Sequence, residues 1–339
     1  MATIKEIAAL AGVSRGTVDR VLNNRGAVNP ATAAKIREIA KALDYKPNRA
    51  GLVLAAQKKK LKLGMILFSL DNPFFIDVLE GANEKAQELE GYNCTVLIRQ
   101  IPLNPEAQLQ AMEELVAQEV NGIAMAPCND ERIRQSINAL SERGIPVVTF
   151  NTDIENSKRL AYVGSNYTKS GATAAGLLRL MTHGEVHVGI VTGSSGILCH
   201  TERIAGFTET LRPWQDHIHI TEIIEVHDDE IESYEKTTAL LQAHPEINAL
   251  FFAAGGVYGG CRSVCALNRK NHICIVAFDK VPTTKELVAD GTISAIICQQ
   301  PKIQGSKPLA LLFAYLTTGE RPEKEYNYVA VDIRIRENI

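Results

Sequence analysis

The chain has 339 residues, of which 45% are hydrophobic, and its formal net charge is −3. This length predicts two or three domains, and the hydrophobic share is large enough for sizeable cores. Because no run of about 18 apolar residues occurs and the N-terminus lacks an apolar signal core, a membrane protein and an exported protein are both disfavoured, and we expect a cytoplasmic protein.

The first helices predicted along the chain lie within residues 3–24. Thr3, with a Glu three residues later, has the spacing of a capping box at a helix N-terminus. Gly12 tolerates the positive φ of a tight turn, and Ser14 can cap a second short helix. The free face of that second helix carries small and basic residues at its N-terminal end, as a helix that enters the major groove does. These candidate DNA-contacting residues are Arg15, Gly16, Thr17 and Arg20.

A third helix is predicted after Asn29, because Asn is a good N-cap and Pro30 is favoured in the first turn. Residues 1–60 contain 12 Lys and Arg against 4 Asp and Glu, a net charge of +8, and the remaining residues carry −11. A basic head on an acidic body indicates a polyanionic partner for the head alone. A small helical bundle that binds a protein, or binds nothing, is the alternative.

Residues 48–61 are predicted to be a hinge helix and linker between head and body. A helix here is weak, because Gly51 costs about 1 kcal/mol relative to Ala and a segment this short is marginally stable alone. Such a segment suits a hinge that folds only when two copies meet on DNA, and an ordinary flexible linker is the alternative.

Apolar, β-branched runs alternate with helical patterns through the rest of the chain, which is typical of buried parallel strands in doubly wound α/β sheets. The first series has strands at 61–70, 94–101, 121–127 and 145–151, with helices at 76–90, 105–119 and 130–143. The second has strands at 187–193, 223–228, 249–255 and 273–279, with helices at 201–212, 231–243, 257–268 and 282–290. A crossing strand at 160–166, a helix near 302–318 and a strand at 326–335 complete the body. Two similar halves predict two lobes with a cleft between them.

Polar and aromatic residues collect where the predicted strands end, and ligands of open α/β sheets bind at that edge. Planar side chains that donate and accept hydrogen bonds, with aromatic rings beside them, suit the hydroxyls and the apolar ring face of a sugar. Taken singly, each could instead be a turn residue, a helix cap or part of the core. The candidate ligand-binding residues are Asp71, Asn72, Phe74, Phe75, Asn129, Asn151, Asp153, Asn166, Arg203, Gly255, Phe278, Asp279 and Gln299.

Sequence signatures of catalysis are missing. The glycine-rich stretches at 193–196 and 255–260 fit neither a phosphate-binding loop nor a dinucleotide fingerprint, and no G-x-S-x-G or H-E-x-x-H motif occurs. The seven cysteines and eight histidines do not recur at metal spacing, so we expect no metal site, disulfide or cofactor. Binding is favoured over catalysis, with an enzyme on the same fold as the alternative.

Three segments of the first 56 residues carry a family resemblance: TIKEIAALAGVS, TVDRVLNN and YKPNRAGLVLA. In order and spacing they resemble the lactose-repressor (LacI/GalR) family of bacterial transcription regulators. The resemblance implies a hinge helix at 48–56 whose Leu54 wedges into the minor groove. It implies base-reading positions at Arg15, Gly16 and Arg20 and phosphate contacts at Thr17, Asn23 and Asn48. The predicted DNA-binding set also includes Thr3, Ser14 and Arg49. Asp19 departs from the family, which usually has Ser there, and can pair with Arg15 or Arg20.

The body resembles the type I periplasmic-binding-protein fold that this family carries behind its head. The segment DNPFF at 71–75 is similar to the ring-stacking motif of ribose-type sugar-binding proteins, and Arg203, Asp279 and Gln299 match the family's ligand positions. Many relatives have Asn-Asp where this chain has Gly255-Gly256, and whether Asn151 or Asp153 faces the ligand stays open. The implied domains are a head at 1–47, a hinge and linker at 48–61, and a ligand-binding and dimerisation body at 62–339. The first lobe is expected from about 62–160 and 293–325, and the second from about 163–290 and 326–339.

Together these features predict an all-α helix-turn-helix head on an α/β, two-lobed body with two doubly wound parallel sheets. The predicted function is a ligand-responsive transcription regulator, with repression as the expected direction. It would bind a pseudo-palindromic operator as a homodimer or tetramer and respond to a sugar. A purine effector, and a cytoplasmic sugar sensor that acts through protein contacts, are the alternatives.

Overall fold

The computed structural model describes residues 3–22, 28–43, 60–68 and 73–339 of the chain. Most of the predicted hinge, residues 48–59, lies outside these ranges. The head contains three helices, α1 (Ile4–Ala11), α2 (Arg15–Leu22) and α3 (Pro30–Ala42).

The three helices of the head begin and pack as predicted, and α1 ends at the predicted glycine. Thr3 forms the capping box at the start of α1, and Gly12 ends that helix at a φ of 73°. The buried side chains of Ile7, Val18 and Ile36, one from each helix, meet in a common core. The predicted three-helix core is therefore confirmed.

Strands and helices alternate along the body. Its first half contains β1 (Leu61–Phe68), α4 (Phe74–Glu90), β2 (Cys94–Ile101), α5 (Pro105–Ala117), β3 (Gly122–Met125), α6 (Glu131–Glu142), β4 (Val147–Phe150) and β5 (Ala161–Gly164). Its second half contains α7 (Tyr167–Met181), β6 (Val186–Thr192), α8 (Leu198–Leu211) with a 3₁₀ turn at Arg212–Trp214, β7 (Ile218–Glu225), α9 (Glu230–Ala243), β8 (Ala249–Phe252), α10 (Val257–Ala266), β9 (Cys274–Phe278) and α11 (Pro282–Ala289). The last elements are β10 (Ala295–Cys298), α12 (Pro301–Thr318), β11 (Tyr326–Tyr328) and β12 (Asp332–Arg334).

The strands form two six-stranded sheets, one in each lobe. The first sheet has the order β11-β5-β4-β3-β1-β2, and its neighbouring strands are parallel. The second has the order β12-β10-β9-β8-β6-β7, in which β12 runs antiparallel to β10 and the other pairs are parallel. The central strands β3, β4 and β8 are buried along their whole length, as expected for sheets covered on both faces. The predicted two-lobed α/β architecture is confirmed.

The end of the chain departs from the predicted lobe boundaries. β10 pairs with β9 and so belongs to the second sheet, whereas the sequence predicts residues 293–325 in the first lobe. The predicted strand at 326–335 is two strands, because β11 joins β5 in the first sheet and β12 joins β10 in the second. An apolar run predicts that a strand forms, but the sheet that it joins is decided by its tertiary neighbours.

The sequence also does not predict α7. This helix contains two glycines and several β-branched or hydroxyl side chains, which have low intrinsic helix propensity. It is stabilised by packing against α8. Within the described ranges, no helix has the length and apolar character needed to span a membrane.

Candidate functional site

The N-terminal end of α2 is the candidate DNA-reading surface of the head. Ser14 caps α2, since its Oγ accepts a hydrogen bond from Thr17 N at 3.2 Å. Arg15 and Gly16 are exposed, and Arg20 Nε donates to Gly16 O at 3.1 Å on the same exposed face. Thr3 is exposed at the start of α1. The predicted contacts at Asn23, Asn48, Arg49 and Leu54 lie outside the described residues, and the DNA contacts of the whole set stay predictions.

A cavity of about 320 Å³ lies between the two lobes at the carboxyl ends of their strands. Seven of the predicted ligand-binding residues line it: Phe74, Phe75, Asn151, Arg203, Gly255, Asp279 and Gln299. The other described residues that line it are Phe68, Pro102, Leu103, Ile197, Cys199, His200, His227, Asp228, Asp229 and Ala254. The fold thus brings together residues that are more than 200 positions apart in the sequence.

The first lobe contributes an aromatic wall to this cavity. Phe68 ends β1, and Phe74 and Phe75 form the first turn of α4. Phe75 packs edge-on against both neighbours, with ring centroids 5.9 Å from Phe68 and 5.4 Å from Phe74. Asp71 and Asn72, which precede this wall, lie outside the described residues.

Arg203 on α8 is the guanidinium of the cavity, and it is held between two rings. Its Cζ lies 3.9 Å from the ring centroid of Phe278 and 4.7 Å from that of Tyr167. Nη1 donates to Ala253 O at 2.7 Å, while Nε is buried without a hydrogen-bond partner among the described residues. Phe278 is therefore placed beneath Arg203 and does not itself line this cavity.

Asp279 and Gln299 form a buried pair beside Arg203. Gln299 Nε2 donates to Asp279 Oδ1 at 2.8 Å, and Gln304 holds the backbone oxygen of Gln299. Burial raises the pKa of Asp279 to about 6, although Arg203 and Gln299 act in the opposite direction. Gln299 Oε1 is buried and, within the described part of the chain, accepts no hydrogen bond.

The structure separates the roles of Asn151 and Asp153. Asn151 lines the cavity with a left-handed φ of 61°, and its Nδ2 donates to Gln304 Oε1 at 3.3 Å. The hydroxyl of Tyr167 donates to Asn151 O. Asp153 instead accepts two hydrogen bonds of 2.6 Å from Arg159, so it is part of an ion pair outside the cavity lining.

Four predicted ligand-binding residues therefore do not line the cavity: Asn129, Asp153, Asn166 and, as described above, Phe278. Asn129 is exposed. The side chain of Asn166 accepts a hydrogen bond from Lys169 N at 2.9 Å and caps α7. Polar residues after a strand often serve as helix caps, which is why the sequence pattern alone overpredicts the site.

Sequence reasoning missed His200, His227, Asp228 and Asp229. The predicted strand at 223–228 includes two of them, but β7 ends at Glu225 and both His227 and Asp228 adopt left-handed φ angles, 48° and 60°. The rule that polar residues follow strands would have found them with the strand end placed correctly. His200 is buried, which lowers its pKa, and its Nδ1 accepts a hydrogen bond from Ser194 N at 3.1 Å.

Neither a metal cluster nor a disulfide is found in the described part of the chain. Its His, Cys, Asp and Glu side chains do not gather in groups of three or more that could hold a metal ion. The seven cysteines are free thiols. The cavity is thus built from hydrogen-bonding and aromatic groups.

Comparison with known proteins matches two parts of the chain to two different families. Residues 3–48 match the family described as bacterial regulatory proteins, lacI family, and residues 63–321 match the periplasmic binding protein domain. The ribose import binding protein RbsB of Escherichia coli (strain K12) is 24% identical over 283 residues, which cover 84% of this chain and 93% of that protein. The ribose operon repressor of Halalkalibacterium halodurans is 25% identical over 291 residues, covering 85% of this chain and 83% of that protein.

A solved structure agrees with these matches. GanP, a glucose-galactose binding protein from Geobacillus stearothermophilus, superposes with a TM-score of 0.77 at 26% identity, covering 83% of this chain and 99% of that one. The chain therefore belongs to the periplasmic-binding-protein domain family through its body, and its head is a DNA-binding domain of the lacI family of bacterial regulatory proteins.

Proposed function

We propose that the chain is a transcriptional repressor whose affinity for operator DNA is set by a sugar bound between the lobes. Two buried polar atoms, Arg203 Nε and Gln299 Oε1, support the binding of a polar ligand in the cavity. Both lack hydrogen-bond partners among the described residues, and both belong to side chains that line the cavity. A buried donor or acceptor left unpaired costs about 1–3 kcal/mol. A hydroxyl group can accept from the first and donate to the second, so a polyol removes both costs.

The surroundings of these atoms also suit a sugar ring. Phe74 and Phe75 supply apolar surface for the ring face, and Asn151 and Asp279 add polar groups around it. Relatives named for ribose and for glucose and galactose support the same ligand class. Because the matching families are regulatory and binding proteins, we infer binding without turnover.

The head supports duplex DNA as the second partner. We infer a homodimer that places two α2 helices in successive major grooves, about 34 Å apart, on a pseudo-palindromic operator. Exposed Arg15 and Arg20 supply positive charge at that surface. A chromosomal target implies that the protein acts in the cytoplasm.

Coupling between the two sites follows from where the ligand contacts lie. Phe74 and Asn151 belong to the first lobe, and Arg203 and Asp279 belong to the second. A bound sugar therefore favours the arrangement of lobes in which both sets contact it. It changes DNA affinity only if the arrangements with and without sugar differ in their affinity for DNA.

The test uses operator duplexes selected from a random library with the full-length protein. Fluorescence anisotropy then measures operator affinity alone and with D-ribose, D-allose, D-arabinose, D-galactose or adenine. We expect at least one sugar to change the affinity about five-fold or more, the lower end of typical allosteric couplings. Arg203→Met is the matched control, because it should keep DNA binding and lose the response.

Three outcomes would contradict the proposal. Equal operator affinity with every ligand would contradict the regulation of DNA binding by sugar. A response to adenine alone would indicate a purine effector instead of a sugar. The logarithm of the DNA-binding constant should also fall linearly with the logarithm of salt concentration, because phosphate contacts release counterions. Failure to bind duplex DNA at low ionic strength would contradict the proposed role as a transcriptional regulator.

A further inference from the structure

The carboxylate of Asp228 lies where three neighbouring strands of the second sheet end. Asp228 follows β7, Gly193 follows β6 and Gly255 follows β8, and β6 lies between the other two strands. Asp228 and Gly255 both line the cavity. This carboxylate was not anticipated from the sequence.

Two glycines leave the space that the Asp228 carboxylate occupies. A Cβ atom added at Gly193 would lie 2.7 Å from Asp228 Oδ1, and one added at Gly255 would lie 2.9 Å from the same atom. Real Cβ atoms essentially never approach another heavy atom this closely. A side chain at 193 would displace the His200 ring as well as the carboxylate, because an added Cβ there would lie 2.5 Å from His200 Cε1. A side chain at 255 would displace the carboxylate, so Asp228 fills the space that this side chain would take.

The position of this carboxylate is fixed by the backbone. Gly255 N donates to Asp228 Oδ1 at 2.7 Å. Asp228 itself has a φ of 60°, a left-handed conformation that Asp and Asn tolerate better than other residues with a side chain. The remaining lone pairs of the carboxylate are thereby held at the cavity wall, where a ligand can donate to them.

The charges around the cavity are uneven. Three carboxylates line it, on Asp228, Asp229 and Asp279, while Arg203 is the single guanidinium or ammonium group among its described lining residues. His200 does not balance the excess, because burial lowers its pKa. His227 faces the carboxylates of Glu225 and Glu232. A ligand with an anionic group near Asp228 would meet net repulsion.

We propose that Asp228 determines the specificity of the cleft: it accepts hydrogen bonds from ligand hydroxyls and selects a neutral polyol against sugars that carry phosphate or carboxylate. The inference rests on the proposed function, since it assumes that a sugar enters this cavity. It narrows that function to one ligand class.

The test compares neutral and anionic members of matched pairs by isothermal titration calorimetry on the full-length protein. The pairs are D-ribose with D-ribose 5-phosphate, and D-galactose with D-galacturonate. The variant is Asp228→Asn, which keeps the shape, tolerates the left-handed φ and retains an acceptor for Gly255 N. Asp216→Asn is the matched control, because it removes the same charge at an exposed position before β7.

Wild type should bind the neutral member of at least one pair and discriminate against the anionic member. A hydrogen bond to a charged acceptor is stronger than one to a neutral acceptor, so Asp228→Asn should weaken neutral-sugar binding about ten-fold. It should reduce the neutral-over-anionic preference by a similar factor, and Asp216→Asn should change neither. Gly255→Ala keeps the Asp228 carboxylate but displaces it, so this variant should also weaken neutral-sugar binding. If circular dichroism shows that Asp228→Asn is unfolded, the affinity of Gly255→Ala for neutral sugars tests the role of Asp228 instead.

The two proposals fail in different ways. If Asp228→Asn binds sugars with the wild-type affinity and preference, or if wild type prefers an anionic member, the role of Asp228 is overturned and sugar binding stands. If wild type binds DNA but none of the sugars, the proposed sugar effector itself is overturned.

Discussion

The contact between α7 and α8 makes the position of Arg203 sensitive to one added methyl group. Gly171 on α7 lies against the backbone of Arg203 on α8, and a Cβ added there would lie 2.7 Å from the Arg203 carbonyl carbon and closer still to its oxygen. Ordinary contact begins near 3.4 Å, so Gly171→Ala forces the two helices apart by at least 0.7 Å, the difference between these distances. Because the neighbouring atoms are backbone, no side-chain rotation can relieve the clash.

The expected cost follows from overpacking and helix propensity. Overpacking costs about 1–3 kcal/mol, and replacing Gly by Ala inside a helix returns about 1 kcal/mol. We expect Gly171→Ala to lower the free energy of unfolding by up to about 2 kcal/mol. It should also weaken sugar binding, because α8 carries Arg203 into the cavity.

Gly176→Ala is the matched control on the same helix. A Cβ at Gly176 meets no atom within 4 Å, so only the helix-propensity gain of about 1 kcal/mol is expected. Urea denaturation followed by circular dichroism, with calorimetric titration of sugar, measures both variants. If Gly171→Ala is as stable as Gly176→Ala and binds sugar equally well, the α7–α8 contact does not position Arg203.

Three further substitutions test the cavity and its support. Arg203→Met should weaken sugar binding about 10- to 100-fold, because charge-assisted hydrogen bonds are worth about 1.5–3 kcal/mol; calorimetry showing wild-type affinity would contradict this. For Asp279, the folded pKa of about 6 lies above the ordinary 3.8, so its contribution to stability is complete below pH 3.8 and is lost as pH rises through 6. Asp279→Asn should therefore gain stability over wild type between pH 4 and pH 7, by up to about 3 kcal/mol in urea titrations, and an unchanged difference would argue against the buried carboxylate. Arg159→Met should destabilise the body by about 3–5 kcal/mol, because it leaves Asp153 unpaired. The side chain of Arg159 is 4% exposed, whereas that of Arg132 is 52% exposed, and the ion pairs of Arg132 should contribute about 1 kcal/mol or less. Equal effects of Arg159→Met and Arg132→Met on the free energy of unfolding would contradict a stabilising role for the buried Arg159–Asp153 pair.

The sequence by itself predicted the features of this protein that depend on residues close to one another along the chain. The capping box at Thr3, the turn at Gly12 and the helix start at Asn29 are local signals, and they were sufficient for the three helices of the head. Strand and helix periodicity likewise predicted most elements of the body. Strand ends predicted seven residues that line the cavity, because parallel strands bring their carboxyl ends to one edge.

Tertiary contacts decided what these local patterns leave open. β10, β11 and β12 read alike as apolar runs, yet their partners lie in different sheets. Asn151 and Asp153 are two residues apart, and only the ion pair with Arg159 shows which one turns away from the cavity. Asp228 lies at the cavity because Gly193 and Gly255, which follow two other strands, have no side chains in the space that it occupies. These three residues are far apart in the sequence and meet only in the folded chain. Local sequence sets backbone preference over a few residues, whereas pairing and burial depend on contacts across the whole fold.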